Sequence, residues 1–138
     1  MNRTTYMLDT NICSYIMRQR PETVLRQLEQ ASTLQHRIVV SAITYAELRF
    51  GANSAKASPR ITPMVDAFVQ RLDAILPWDA AAVDETAQIR RYLEEKGIPI
   101  GHNDAAIAGH ALSQACTLIT HNTREFQRVP RLISEDWS

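Results

Sequence analysis

Tyr6-Met7-Leu8-Asp9-Thr10-Asn11 is the stretch that decides how this chain is read. Residues 5–8 read as a short buried strand. Ile12, Tyr15 and Ile16 follow at the i, i+3, i+4 spacing of an amphipathic helix. A strand running straight into a helix opens an α/β unit, and it leaves a carboxylate, Asp9, at the carboxyl end of the strand. Open α/β sheets gather their ligands at that edge. Asp9 also has a plainer reading, because Asp is a preferred helix N-cap and a helix begins right after it. On the residues alone the two readings are evenly matched. Thr10 and Asn11 share the ambiguity, since turn and cap positions favour both types.

Outward from this stretch the pattern repeats. Pro21-Glu22-Thr23 starts a second helix whose apolar face is Val24, Leu25, Leu28 and Ala31. Ile38-Val39-Val40 is a β-branched strand ending at Ser41, a good N-cap for a third helix that ends near Gly51. Residues 52–63 are polar and rich in breakers and read as a loop. Val65, Phe68, Val69, Leu72, Ile75 and Leu76 form the next helical stripe, with strand character also at Ile75-Leu76-Pro77-Trp78. Ala82, Thr86, Ile89 and Leu93 mark another helix, stopped by Gly97 and Pro99. Residues 103–115 read as a helix of small residues, Thr117-Leu118-Ile119-Thr120 as a strand, and Leu132-Ile133 as a last edge strand. Short strands alternating with helices predict a short, mainly parallel central sheet covered on both faces, a three-layer α/β/α sandwich.

Composition bounds the function. The 138 residues are expected to form one domain, residues 1–138, large enough to bury about 68% of the unfolded surface. Net charge is zero, so no basic tail advertises nucleic acid. The basic residues are nearly all Arg, with Lys only at Lys56 and Lys96. Cys13 and Cys116 lie far apart in apolar surroundings, without metal-ligand spacing, and read as buried thiols of a reducing compartment. The start Met-Asn-Arg-Thr-Thr has no apolar core of a signal peptide, and no run of about 18 apolar residues is present. A cytoplasmic protein is expected, with no membrane partner.

Two further acids look inward. Glu47 falls on one helical face with Ile43, Ala46 and Phe50, which predicts a packed face. An unpaired carboxylate there costs several kcal/mol, about what a buried charge demands, unless a cation answers it. The plainer reading is a salt bridge, to Arg49 for instance, or a helix rotated enough to leave Glu47 wet. Asp104 lies in the first turn of its helix, where the macrodipole alone favours an acid. Ala105, Ala106, Ala108, Gly109 and Ala111 around it are small, as close approach to a sheet or ligand requires. Thr120-His121-Asn122 follows the late strand and brings Asn122 toward the edge that Asp9 occupies. His102 and His121 flank these positions and read either as phosphate contacts or as plain surface residues. His110 reads as a hydrogen-bonded packing residue.

Taken together, the segments Leu8-Asp9-Thr10-Asn11, Ser41-x-x-Thr44-x-x-Glu47-Leu48, Asn103-Asp104-x-x-Ile107-Ala108 and Thr120-x-Asn122-x-x-x-Phe126 occur in order over nearly the whole chain. This pattern resembles the PIN-domain ribonucleases, and among them the VapC toxins of bacterial type II toxin–antitoxin pairs. The resemblance implies a PIN fold, with Asp9, Glu47 and Asp104 as catalytic and metal-binding carboxylates. Thr10, Asn11, Thr120 and Asn122 become outer supports or weak ligands. At Asn122 many PIN domains carry a fourth acid, and the amide makes one firmly bound ion more credible than two. Asp136 is too near the end of the chain to be promoted in its place.

Three carboxylates within ~4 Å repel by about 4 kcal/mol per pair at an effective dielectric near 20, which a cation relieves. All-oxygen ligands suit Mg²⁺, or Mn²⁺, rather than zinc. The resemblance further implies metal-dependent cleavage of a structured RNA, with the initiator tRNA anticodon loop favoured. It also implies inhibition by a VapB-like antitoxin, a toxin homodimer within the complex, and contact with DNA only through the antitoxin. The apolar stripes of the first two helices and of residues 65–76 are the expected antitoxin groove. Two other readings remain: a PIN-fold RNA- or protein-binding module that cuts weakly or not at all, left open by Asn122, and a HAD-like phosphatase. The latter wants a second acid where Asn11 stands.

Overall fold

The computed structural model describes residues 3–138. Five strands, β1 (Thr5–Leu8), β2 (Arg37–Ser41), β3 (Ala74–Leu76), β4 (Thr117–Ile119) and β5 (Ser134–Glu135), form one sheet. All four pairings are parallel and the spatial order is β3-β2-β1-β4-β5. Parallel neighbours require crossovers, supplied here by seven helices among the described residues: α1 (Thr10–Arg18), α2 (Glu22–Thr33), α3 (Ala42–Ala52), α4 (Ile61–Gln70), α5 (Ala80–Glu95), α6 (His102–Ser113) and α7 (Thr123–Phe126). The strand order reverses between β1 and β4. That is the topological switch point, the place at which open α/β sheets gather their ligands.

Side chains alternate across the pleat and divide the core in two. Leu8, Ile38, Val40 and Ile119 point to one face and pack with Ile12, Val24, Val65 and Phe68 of α1, α2 and α4. Met7, Val39 and Leu118 point to the other and pack with Ile89 and Leu93 of α5 and Ile107 and Ala111 of α6. Burial on both faces is why these strands read as unbroken apolar runs. The expected three-layer α/β/α sandwich is the observed one.

Several details differ from the sequence expectation. Helix α4 starts at Ile61, inside the stretch read as a loop, and ends at Gln70. Leu72 therefore lies beyond the helix and Ile75 and Leu76 belong to β3; strand pairing with β2 overrides a stripe that happened to keep a helical period. The last strand is Ser134–Glu135, two residues beyond Leu132-Ile133. As an edge strand it needs no apolar pair, and Ile133 stays 65% exposed while its carbonyl accepts the Leu118 amide at 2.9 Å. The single-turn α7 has no counterpart in the sequence reading.

The largest departure concerns α3. Its buried positions are Thr44, Leu48 and Ala52, in line with the buried Ser41 that caps it. Ala46 and Phe50 face out, Phe50 at 82% exposure, and Glu47 is half-buried. Two of the four inward positions are polar, so a search for an apolar stripe selects the wrong face. Glu47 is thus at the wet margin of the helix, not on a packed face.

Helix α6 is held tightly on α5. A Cβ at Gly109 would collide with Thr86, 2.7 Å from its amide nitrogen. Gly109→Ala is expected to cost about 1–3 kcal/mol despite the better helix propensity of Ala, read as a lower urea midpoint at unchanged slope.

Candidate active site

Asp9 directly follows β1 and is 6% exposed. Its Oδ1 accepts the Ile12 amide of α1 at 3.0 Å, so it is the helix N-cap. The cap is one of two bonds that the carboxylate accepts. Thr120, fully buried at the end of β4, bonds the same carboxylate while its Oγ1 accepts the Asn122 amide at 2.9 Å. Burial nevertheless pushes the Asp9 pKa up, with Glu47 and Asp136 adding to the rise against the two hydrogen bonds.

Glu47 reaches the same place from α3. Its Oε1 accepts the Thr10 hydroxyl at 2.7 Å, which ties the first turn of α1 to α3. The salt bridge to Arg49 does not form, because Arg49 pairs with Asp66 of α4 at 2.7 Å. Asp104, in the first turn of α6, has its pKa pushed up to about 6. Burial is the largest cause; Glu125, Asp9 and Glu47 follow as negative neighbours. The three carboxylates read from the sequence therefore lie within one another's field. Among the described residues no Arg, Lys or His forms an ion pair with any of them. Nor do any three acid, His or Cys side chains close into a ready-made ligand set.

One acid escaped the sequence reading and another, Asp136, was set aside there as too near the end of the chain. Glu125, on the single turn α7, shares a hydrogen bond with Asp104. It stands three residues after Asn122, a spacing that reads as a capping box, and only the helix direction reveals that it turns to Asp104. Asp136 follows β5, and the β4–β5 pairing carries it to the edge where it acts on Asp9. Asn122 caps α7 without using its side chain, and Asn11 is exposed at the mouth. His121 contacts Ser138 at 2.8 Å and Asp136 at 3.3 Å, whereas His102 meets Arg90 at 3.3 Å.

A buried or half-buried group of carboxylates, without a cation from the chain, stands at the switch point of a parallel sheet. The PIN domain matches this chain over residues 6–132. The chain belongs to the PIN-domain family. Within it, this PIN domain is 41% identical over 133 residues to the tRNA(fMet)-specific endonuclease VapC of Shigella flexneri, covering 96% of this chain and 98% of that one. It is 39% identical over 132 residues to ribonuclease VapC2 of Rickettsia felis, at 96% and 97% coverage. Among solved structures, VapBC2 of Rickettsia felis bound to a promoter DNA fragment superposes with a TM-score of 0.90 at 37% identity, covering 98% of this chain and all of that one. DNA-bound VapBC of Salmonella typhimurium gives 0.88 at 38%, with 98% and 99% covered. The relatives are named as nucleases, the enzyme class that the four motifs imply.

The PIN carboxylates carry a stability cost with a definite sign. Folding raises the Asp104 pKa from 3.8 to about 6, so the folded state binds its proton more tightly. Stability from this group falls as pH rises through that window, and the penalty is complete above it. In metal-free buffer Asp104→Asn is expected to raise Tm by a few degrees near about pH 7.5 and to lose that gain near about pH 3.5.

Proposed function

We propose that this PIN domain, one domain over residues 1–138, is the toxin of a VapBC-type pair and an endoribonuclease that works with Mg²⁺, or Mn²⁺, in the cytoplasm. The observation that carries the proposal is Asp104, held near a pKa of about 6 by burial and by three other acids with no cation to answer them. The donor set is all oxygen and negative, which fits a hard divalent ion. Asp9, Glu47 and Asp104 would hold it, with Glu125 as a fourth carboxylate and Asn122 as a neutral oxygen donor. A bound ion of this kind supplies a Lewis acid at a phosphate oxygen and a water acidified for attack on phosphorus. Thr10 fixes the Glu47 carboxylate and Thr120 the Asp9 carboxylate, so both arrive oriented. Attack by water leaves 5′-phosphate and 3′-hydroxyl ends. Glu125 also weakens the reading of a non-cutting PIN module, which rested on the missing acid at Asn122.

The Shigella and Salmonella relatives are named for initiator tRNA, which supports that RNA as substrate here. Cations at the mouth can meet its phosphates. Arg18 lies over the Tyr15 ring at 5.5 Å, and Arg90 lies beside His102, two residues from Asp104. Arg49 and Arg91 are taken up by Asp66 and Glu95. The expected antitoxin groove has a physical counterpart. A cleft of about 530 Å³ is lined by Met17 of α1, Leu48 of α3 and Ile61, Met64 and Val65 of α4, and Thr10, Asn11 and Glu47 line it too. A second, of about 430 Å³, includes Ile16, Leu28, Phe68 and Leu72. A VapB-like tail lying in the first cleft reaches the carboxylates and blocks them. The exposed Phe50 on α3 offers a face for a second toxin copy, and DNA is met only through the antitoxin.

Purified protein is expected to cut initiator tRNA with Mg²⁺ or Mn²⁺ and to stop in EDTA. Asp9→Asn or Asp104→Asn should lower the rate by more than about 100-fold, beyond what loss of an outer support costs. Cutting that survives EDTA overturns the metal mechanism. Met64→Glu is expected to weaken antitoxin binding by about 30-fold or more while leaving RNA cutting intact, as measured by titration of the antitoxin into the nuclease assay.

A further inference from the structure

Glu47 and Asp104 ride on two helices that enter the sheet from different crossovers, and something must fix one helix against the other. Helix α6 offers little grip. Its buried face is Ala105, Ala106, Ala108, Gly109 and Ala111 with one Ile, a smooth surface without ridges to stop sliding. The Trp78 indole Nε1–H donates to the Ala106 carbonyl at 3.1 Å, and a contact between two buried side chains ties α6 to α3. His110 Nδ1 lies 2.7 Å from Ser41 Oγ, and both residues are fully buried. Ser41 is the N-cap of α3 and its Oγ already accepts the Ile43 amide at 3.1 Å. Its own hydrogen is therefore free to be donated to Nδ1, which leaves the ring proton on Nε2.

The contact is not what packing alone would select. Thr44 Oγ1, one turn along α3 from Ser41, is buried without a hydrogen-bond partner, and beyond Ser41 the His110 ring has only the Pro77 backbone to bond. Burying polar atoms unpaired is unfavourable, and replacing a buried polar pair with apolar groups of similar shape is often neutral or better. Burial also lowers the His110 pKa, with the Asp79 carboxylate and a backbone hydrogen bond to Pro77 opposing it, which favours the uncharged ring. What the pair does supply is position. His110 is six residues from Asp104 and Ser41 six from Glu47, about 9 Å along each helix at the α-helical rise.

We propose that the Ser41–His110 hydrogen bond sets the axial register of α6 against α3 and thereby the spacing of the Asp104 and Glu47 carboxylates. His110 is a positioning residue for the proposed nuclease and touches neither substrate nor ion. The inference rests on the nuclease reading above. Gly109 and His110 then act as adjacent anchors, one holding α6 to α5 and the other holding it to α3.

The test measures tRNA cleavage and Mn²⁺ affinity by calorimetry on the full chain, with thermal melts as a check on folding. His110→Leu is expected to lower kcat by about 10- to 100-fold and to weaken Mn²⁺ binding by a similar factor, with KM for the RNA unchanged. His110→Asn places an amide atom where Nδ1 stood and is expected to recover most of both losses. The double variant Ser41→Ala with His110→Leu should lose no more than Ser41→Ala alone, because that change already breaks the bond to His110 along with the cap on the Ile43 amide. The inference is overturned by a folded His110→Leu chain with wild-type kcat, by an Asn variant no better than Leu, or by additive losses. Should His110→Leu not fold, the Asn variant and Ser41→Ala read the same bond through kcat and Mn²⁺ affinity. A wild-type chain that neither cuts nor binds Mn²⁺ overturns the nuclease reading itself, and this inference with it.

Discussion

The Ile12 amide and the Asp9 carboxylate make a bond on which both the fold and the site depend. It turns the chain from the central strand into α1 and satisfies an amide that the helix leaves open. It also fixes a carboxylate beside the gap between β1 and β4. Of the two readings that the residue type posed, the cap is the one the hydrogen bond displays, and it leaves the carboxylate at the sheet edge among other acids. The cap orients the side chain that the sheet edge then presents.

Around that anchor the protein keeps an arrangement that folding alone would reject. Acids from β1, α3, α6 and α7 stand in one another's field, and burial makes the repulsion worse. Arg49, two residues from Glu47, is engaged elsewhere, with Asp66. The repulsion is a local cost to stability, of the kind found where ionisable groups are gathered for a task other than folding. The surrounding framework has to be stiff for this to persist. Parallel strands covered on both faces, and the close seat of Gly109 on Thr86, supply that stiffness.

Much of this was legible in the sequence wherever the signal is local. The strand at 5–8, the caps at Asp9 and Ser41, and the stripe Ala82, Thr86, Ile89 and Leu93 all follow from neighbouring residues, and each is where it was expected. Asp9, Glu47 and Asp104 were named on similar grounds. Glu47 was named partly for a wrong reason, since α3 buries Ser41 and Thr44 and turns Phe50 outward. Leu72, Ile75 and Leu76 misled because a strand partner, not periodicity, decides their state. Glu125 was missed and Asp136 was set aside, for different reasons. A four-residue helix is too short to show a period, and Asp136 reaches Asp9 only through strand pairing at long range.

The placement of β1 between β2 and β4 also bears on when the site can exist. The first strand made finds its second neighbour roughly a hundred residues later, and contacts of that separation form slowly because the loop must close before they are rewarded. Until β4 and α7 have been synthesised, Asp9 has no Thr120 to hold it and Asp104 has no Glu125 beside it. A chain still growing on the ribosome carries every early motif and none of the assembled chemistry. The cluster of acids at the sheet edge is thus a property of the nearly complete chain.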